Sequence, residues 1–212
     1  MPAKKIIGVL AFGLILGAML AVSTQAATIS FSAATGRPTT FGGGSYGGGE
    51  FNASIDGGSV WQTFCLEINE SLAFGTAYNF NVGVAAVNGG IAGGSPDPIS
   101  SETAYLFSNF SSGTLAGYTS APDQQIALQY AIWFFEEAVS LESANAAGAD
   151  TWIKLAEAEA VEGSLYNVRV INPYAGEIQK QSVLSVPEAG ALILFASGFF
   201  GLIGYRRMRR ME

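Results

Sequence analysis

The chain has 212 residues, with 10 basic and 17 acidic side chains, one cysteine and no histidine. Without histidine it holds no Ser-His-Asp or Cys-His nucleophile system and lacks the commonest metal ligand, and a lone cysteine makes no internal disulfide. Residues 27–188 carry four basic against 16 acidic residues, a formal charge of −12, so the surface repels phosphate backbones and argues against nucleic acid as a partner.

The N-terminus opens with Lys4 and Lys5, runs apolar over residues 6–22 and ends on Thr24-Gln25-Ala26. A positive start, an apolar stretch and small residues at the cleavage positions form the pattern of a secretory signal peptide, residues 1–26, cut by signal peptidase between Ala26 and Ala27. The remainder up to the C-terminal tail is one domain's worth of chain, large enough for a core. In an exported protein Cys65 is buried and inert, paired with another chain, or used chemically.

The exported part begins as strands. Residues 28–31 form the first, and the glycine-rich stretch 42–49 reads as a flexible or turn-rich connection. Residues 50–56 alternate apolar and polar, Asp56-Gly57-Gly58 supplies a turn, and residues 59–68 return as the second arm of a β-hairpin. On that arm Val60, Phe64, Leu66 and Ile68 share one face, while Trp61, Thr63, Cys65 and Glu67 share the other. Residues 78–87 are a further strand, ended by Asn88-Gly89-Gly90.

The period then becomes helical. Ser100 or Ser101 caps a helix to about Phe110, with Ala104, Phe107 and Phe110 on one face. Pro122-Asp123 opens a second helix over about residues 124–139, apolar around most of its circumference and therefore buried inside the domain. A third helix covers about residues 150–162, anchored by Trp152 and Leu155, with Glu157, Glu159 and Glu162 in solvent. A last strand at 165–171 and a polar tether at 172–185 follow. Strands, a small helical subdomain and a final strand make an α+β domain over residues 27–171.

Phe64-Cys65-Leu66-Glu67 on the hairpin arm and Leu128-Gln129-Tyr130-Ala131-Ile132-Trp133 on the buried helix together resemble the thioester domains of bacterial surface adhesins, over roughly residues 60–140. The resemblance implies an internal thioester between the Cys65 thiol and the Gln129 acyl group, shielded from water by Phe64, Tyr130 and Trp133. It implies attack by an amine-bearing surface or matrix partner, which leaves an amide at Gln129 and returns Cys65 to a thiol. Glu67 or Glu136 is the carboxylate that would accept the amine's proton. No cofactor or metal is implied, and no catalytic residue of an enzyme. Read without the resemblance, Cys65 is a small buried hydrophobe and Gln129 a helix residue satisfied by backbone or water.

The chain ends with Val186-Pro187-Glu188-Ala189, an uncharged run over 189–205, and Arg206, Arg207, Arg209 and Arg210. At ~1.5 Å per residue the run reaches ~25 Å, enough to cross a hydrocarbon core, and the arginines stay on the cytoplasmic side. Residues 186–212 resemble the PEP-CTERM sorting signal of exosortase substrates: motif 186–189, transmembrane helix 189–205, basic cluster 206–210. Ala189 stands where that family has its second proline. The resemblance implies processing by an exosortase, an inner-membrane intermediate held by the helix, and the cell surface or extracellular matrix as destination. An ordinary tail anchor presents the same pattern. The expected function is therefore adhesion or matrix and biofilm attachment, with or without a covalent bond. The alternatives are a non-reactive structural matrix protein and, in another class, a secreted hydrolase using carboxylates, with Glu136 or Glu67 the residues to test.

Overall fold

A computed structural model of the chain describes residues 26–35 and 48–187. The expected signal peptide up to Gln25, most of the glycine-rich stretch, Glu188 of the expected sorting motif, the expected transmembrane span 189–205 and the four arginines lie outside the described residues. Among the described residues no helix is long and apolar enough to cross a membrane. Ala26 and Ala27 are both exposed.

Three strands come first: β1 (Ile29–Ala33), β2 (Phe51–Ile55) and β3 (Val60–Thr63). β2 and β3 form the expected hairpin, with Phe51 opposite Thr63 and Ser54 opposite Val60. Asp56 and Gly57 turn it at positive φ (49° and 67°), the left-handed conformation that Asp-Gly supplies in tight hairpins. β4 (Ala77–Gly83) pairs antiparallel with β1, and a small β5 (Ala85–Ala86) and β6 (Asp97–Pro98) pair follows.

Four helices follow: α1 (Ser101–Ser111), α2 (Pro122–Phe135), α3 (Leu141–Ala146) and α4 (Asp150–Glu159). Ser100 caps α1 by accepting from the Thr103 N–H, and Ala104, Phe107 and Phe110 are buried as their spacing predicts. α2 stops four residues earlier than expected. Glu137 adopts φ 56°, and the Ala138 N–H turns back to the Trp133 carbonyl at 2.8 Å. α4 ends at Glu159, and α3 is an element the periodicity did not reveal.

The C-terminal part departs most from the sequence reading. Tyr166 and Asn167 both have positive φ (46° and 62°), so residues 165–168 cannot be strand, and β7 runs from Arg169 to Ala175. Residues 172–185 are not a tether. They complete β7 and supply β8 (Ile178–Gln179) and β9 (Val183–Ser185), all three residues of β9 being buried. The main sheet is antiparallel throughout, in the order β3-β2-β1-β4-β7, with β8 and β9 on the far edge of β7.

β9 also reaches back to the first hairpin. Val183 bridges Cys65, Leu66 N–H donates to the Ser182 carbonyl at 3.0 Å, and Leu184 N–H donates to the Phe64 carbonyl at 3.4 Å. The Thr63 hydroxyl adds a 2.6 Å bond to the Leu184 carbonyl. The sheet thereby closes into a ring, which leaves no open edge along Cys65.

Alternation along the ring sorts side chains into two cores. Phe64, Leu66, Val170 and Leu184 pack with α1, α2 and α4 in one; Cys65, Ile171 and Val183 pack with Ile29, Phe31, Phe51 and Tyr78 in the other. Phe64 and Leu66 thus face one core and Cys65 the other, as the alternation predicts, but Ile68 packs against the Cys65 core and Val60 is exposed, because the strand itself ends at Thr63. α2 lies between the two cores, with Leu128, Ala131 and Ile132 in the first core and Trp133 in the second. A helix apolar all round is what such a position requires.

Candidate functional site

The site forms where the first hairpin stops pairing with itself. Two residues on from the Phe51–Thr63 pair, Gly49 falls opposite Cys65. A continued ladder would have the two exchange backbone hydrogen bonds. Instead the side-chain amide of Gln129, from α2, enters between them. Its Oε1 accepts from the Gly49 N–H at 3.2 Å and from the Cys65 N–H at 3.1 Å, and its Nε2 donates to the Cys65 carbonyl at 2.8 Å. One side chain thus replaces a strand partner and satisfies three backbone groups that burial would otherwise leave without water.

Gln129 is fully buried and Cys65 is 8% exposed. Because residues 64 and 66 bond to β9 on one side while residue 65 bonds to Gln129 on the other, Cys65 is gripped from both edges. The Gln129 acyl carbon therefore lies against the backbone of the chain's one thiol-bearing residue, in a site closed to bulk water.

Two glycines that were read as linker belong to this site. Gly49 has φ 84°, where a side chain would be strained. A Cβ on Gly48 would stand 2.6 Å from Trp133 Cη2 and 3.1 Å from Gln129 Cγ. The next residue, Glu50, is fully buried, and its carboxylate accepts from the Gln62 amide and, at 2.8 Å, from the Tyr118 hydroxyl. Burial and that carboxylate push the Tyr118 phenol up from its ordinary value. The segment that delivers the Gly49 N–H is thus pinned on both sides.

Of the aromatics expected to shield the cysteine, Trp133 lies in the same core as Cys65, and Tyr130 stands edge-on to it with ring centroids 5.3 Å apart. Phe64 packs in the other core, edge-on to Phe110 at 4.9 Å. It faces away from the cysteine side chain because adjacent residues of an extended segment point to opposite faces.

Both carboxylates suggested as proton acceptors are buried and held in hydrogen bonds of the fold. Burial, and next the charge of Glu70, push the Glu67 carboxyl up to about 9, so it is protonated at pH 7; its Oε2 accepts from the Gln181 amide at 2.9 Å. Glu136 is also raised, chiefly by burial. It accepts from the Ser100 N–H at 3.1 Å and the Ser100 hydroxyl at 2.9 Å, which fixes the start of α1 against the end of α2. Both carboxylates therefore tie segments of the fold together.

Val186 follows β9 directly and packs against the first core. With Pro187 it lines a surface cavity of about 570 Å³, beside Trp61 and Phe110.

No protein-family model matches the chain, and no curated protein matches it. Two solved domains from Streptococcus pyogenes are similar in arrangement. One is the N-terminal domain of the pilus tip adhesin Cpa, at 14% identity and TM-score 0.46, covering 78% of this chain and 96% of that one. The other is the N-terminal thioester domain of the fibronectin-binding protein SfbI, at 14% identity and TM-score 0.41, covering 76% of this chain and 92% of that one.

Proposed function

We propose that this is an exported surface domain that attaches covalently to an amine-bearing partner through a thioester between Cys65 and Gln129. The Cys65 Sγ adds to the Gln129 acyl carbon, and the amide nitrogen leaves as ammonia with the thiol proton. A partner amine then adds to the same carbon. The sulfur departs, takes up a proton that the amine gives up, and a substituted amide remains on Gln129. Each chain reacts once, so the reading is of a binding protein and not an enzyme. The observation that carries it is the three-bond clasp of the Gln129 amide, two bonds to the Cys65 backbone and one from the Gly49 N–H. Burial of both residues supports it, because a thioester lasts only where water is kept out.

The same reading includes signal peptidase at Ala26, exosortase recognition of residues 186–212, a passing membrane intermediate, and a final place at the cell surface or in the extracellular matrix. It draws on the two terminal patterns and on the acidity of the intervening chain.

Intact mass tests the bond. The isolated chain is expected to weigh about 17 Da less than its sequence, the mass of departed ammonia, and methylamine is expected to add at Gln129 and release the Cys65 thiol. A second reading has its own support, since Gln129 completes the hydrogen bonding of Cys65 as a strand partner would, and that role needs no reaction. A full-mass protein with a titratable thiol would leave that structural role, and a non-reactive matrix protein, as the function.

A further inference from the structure

We propose that the backbone N–H groups of Gly49 and Cys65 form an oxyanion hole for acyl transfer at Gln129; the inference rests on the thioester reading above. Two donors converge on one oxygen, Gln129 Oε1, at 3.2 and 3.1 Å. In an ordinary hairpin these two N–H groups would bond to two different carbonyls across the strand pair. Here the pair opens by the width of one amide, and both point at the atom on which negative charge develops when a nucleophile adds to the acyl carbon. Thiol attack, amine attack and hydrolysis all pass through that charge.

The three hydrogen bonds of the clasp differ in fate. The Nε2 bond to the Cys65 carbonyl disappears when ammonia leaves. The two bonds to Oε1 persist through reactant amide, tetrahedral intermediate and thioester. They are strongest in the intermediate, where the acceptor is ionised, and an interaction that strengthens toward the transition state is one that accelerates the step. In a buried site such donors act with little competition from water.

The donors are also held before reaction begins. The Cys65 N–H is fixed by the β9 pairing of its two neighbours. The Gly49 N–H is fixed by the close approach of Gly48 to Trp133, which leaves no room for a Cβ, and by Glu50, whose carboxylate is tied to Gln62 and Tyr118. Glycine at 48 admits the close approach, and glycine at 49 admits the positive φ that aims its N–H at Oε1. This gives the two glycines a role in rate, separate from shielding.

The test uses the full chain as isolated, with Gln129 carrying a ¹³C-labelled side-chain carbonyl. In wild type the thioester C=O stretch is expected below that of a simple alkyl thioester in a non-hydrogen-bonding solvent; a stretch at the unbonded position overturns the proposal without any variant. Replacing Gly49 by glycolate exchanges its N–H for an ester oxygen and leaves the shape intact. That variant is expected to show a higher C=O frequency and aminolysis by methylamine slowed roughly 100- to 1,000-fold, the scale on which single oxyanion donors act. Loss of thermal stability alone, with unchanged frequency and rate, would mean that the N–H is structural and the proposal is wrong. The parent reading fails differently: a wild-type chain at full mass has no thioester carbonyl, and both fall together. A wild-type chain lighter by ammonia, with a glycolate variant as fast as wild type, removes the oxyanion hole and leaves the thioester standing.

Discussion

At the scale of single residues, the sequence made Cys65 and Gln129 visible because their chemistry is in their side chains. Gly48 and Gly49 were not visible, since a glycine's contribution is the space it leaves, and a run of six glycines within eight residues reads first as a linker. The clasp predicts that Gln129→Ala strands two N–H groups and one carbonyl in a dry site. At roughly 1–3 kcal/mol per unsatisfied group, partly relieved by local water entry, a loss of about 2–4 kcal/mol in urea unfolding is expected. Cys65→Ser should fold and show full mass. Gly48→Ala should lower the melting temperature, because its Cβ meets the Trp133 ring at 2.6 Å, and Trp133→Phe in the same chain should recover part of the loss. Glu67 gives a pH signature. Its folded carboxyl titrates at about 9 against 4.5 for an ordinary glutamate, so the folded state holds a proton that the unfolded chain gives up between those values. Its stabilising share is complete below pH 4.5 and declines as pH rises toward 9. Thermal melts should therefore show Glu67→Gln more stable than wild type at pH 8, with the gap closing near pH 4.5. Glu70 and Glu136 are raised in the same direction, so the variant should flatten the slope without abolishing it.

At the scale of elements, the hairpin and the two longest helices follow from alternation, Asp-Gly turn chemistry, a serine cap and a proline start. The three C-terminal strands do not, for a physical reason. β8 and β9 are two and three residues long, too short to display a period of two, and their surroundings are rich in Asn, Gln and Ser. Those polar residues are buried and paired: Asn172 Oδ1 accepts from the Ser182 hydroxyl at 2.7 Å and the Val87 N–H at 3.2 Å, and its Nδ2 donates to the Ala85 carbonyl at 3.0 Å. Composition alone cannot separate a solvated polar segment from one whose polar groups are satisfied internally. The element-level prediction follows. A chain ending at residue 171 lacks the partner of β7 and the strand that closes on Cys65, and should be unfolded by circular dichroism and rapidly proteolysed. A chain ending at Pro187 should melt cooperatively.

At the scale of the whole molecule, charge separates the ends from the middle: six of the ten basic residues lie in the two terminal segments. The sequence read that division directly, but it placed a spacer before the tail that the fold does not contain. Val186 packs on the first core one residue after β9, so removing residues 186–212 would disturb the domain as well as the proposed sorting signal. The cleaner cut removes residues 188–212. The truncated chain is expected to be found in the medium as a folded domain, and fractionation that still finds it with the envelope would point to a second anchor. Neutralising Arg206, Arg207, Arg209 and Arg210 should leave the full chain unprocessed or misoriented in membrane preparations.

Ring closure through β9 also sets a timetable. A nascent polypeptide emerges from its first residue onward, and the strand that locks the Cys65 segment from behind is among the last described parts to appear. Until Ser185 has emerged, the thiol's surroundings are half built and open to water. The Cys65 segment can therefore be closed from behind only after residue 185 has been made.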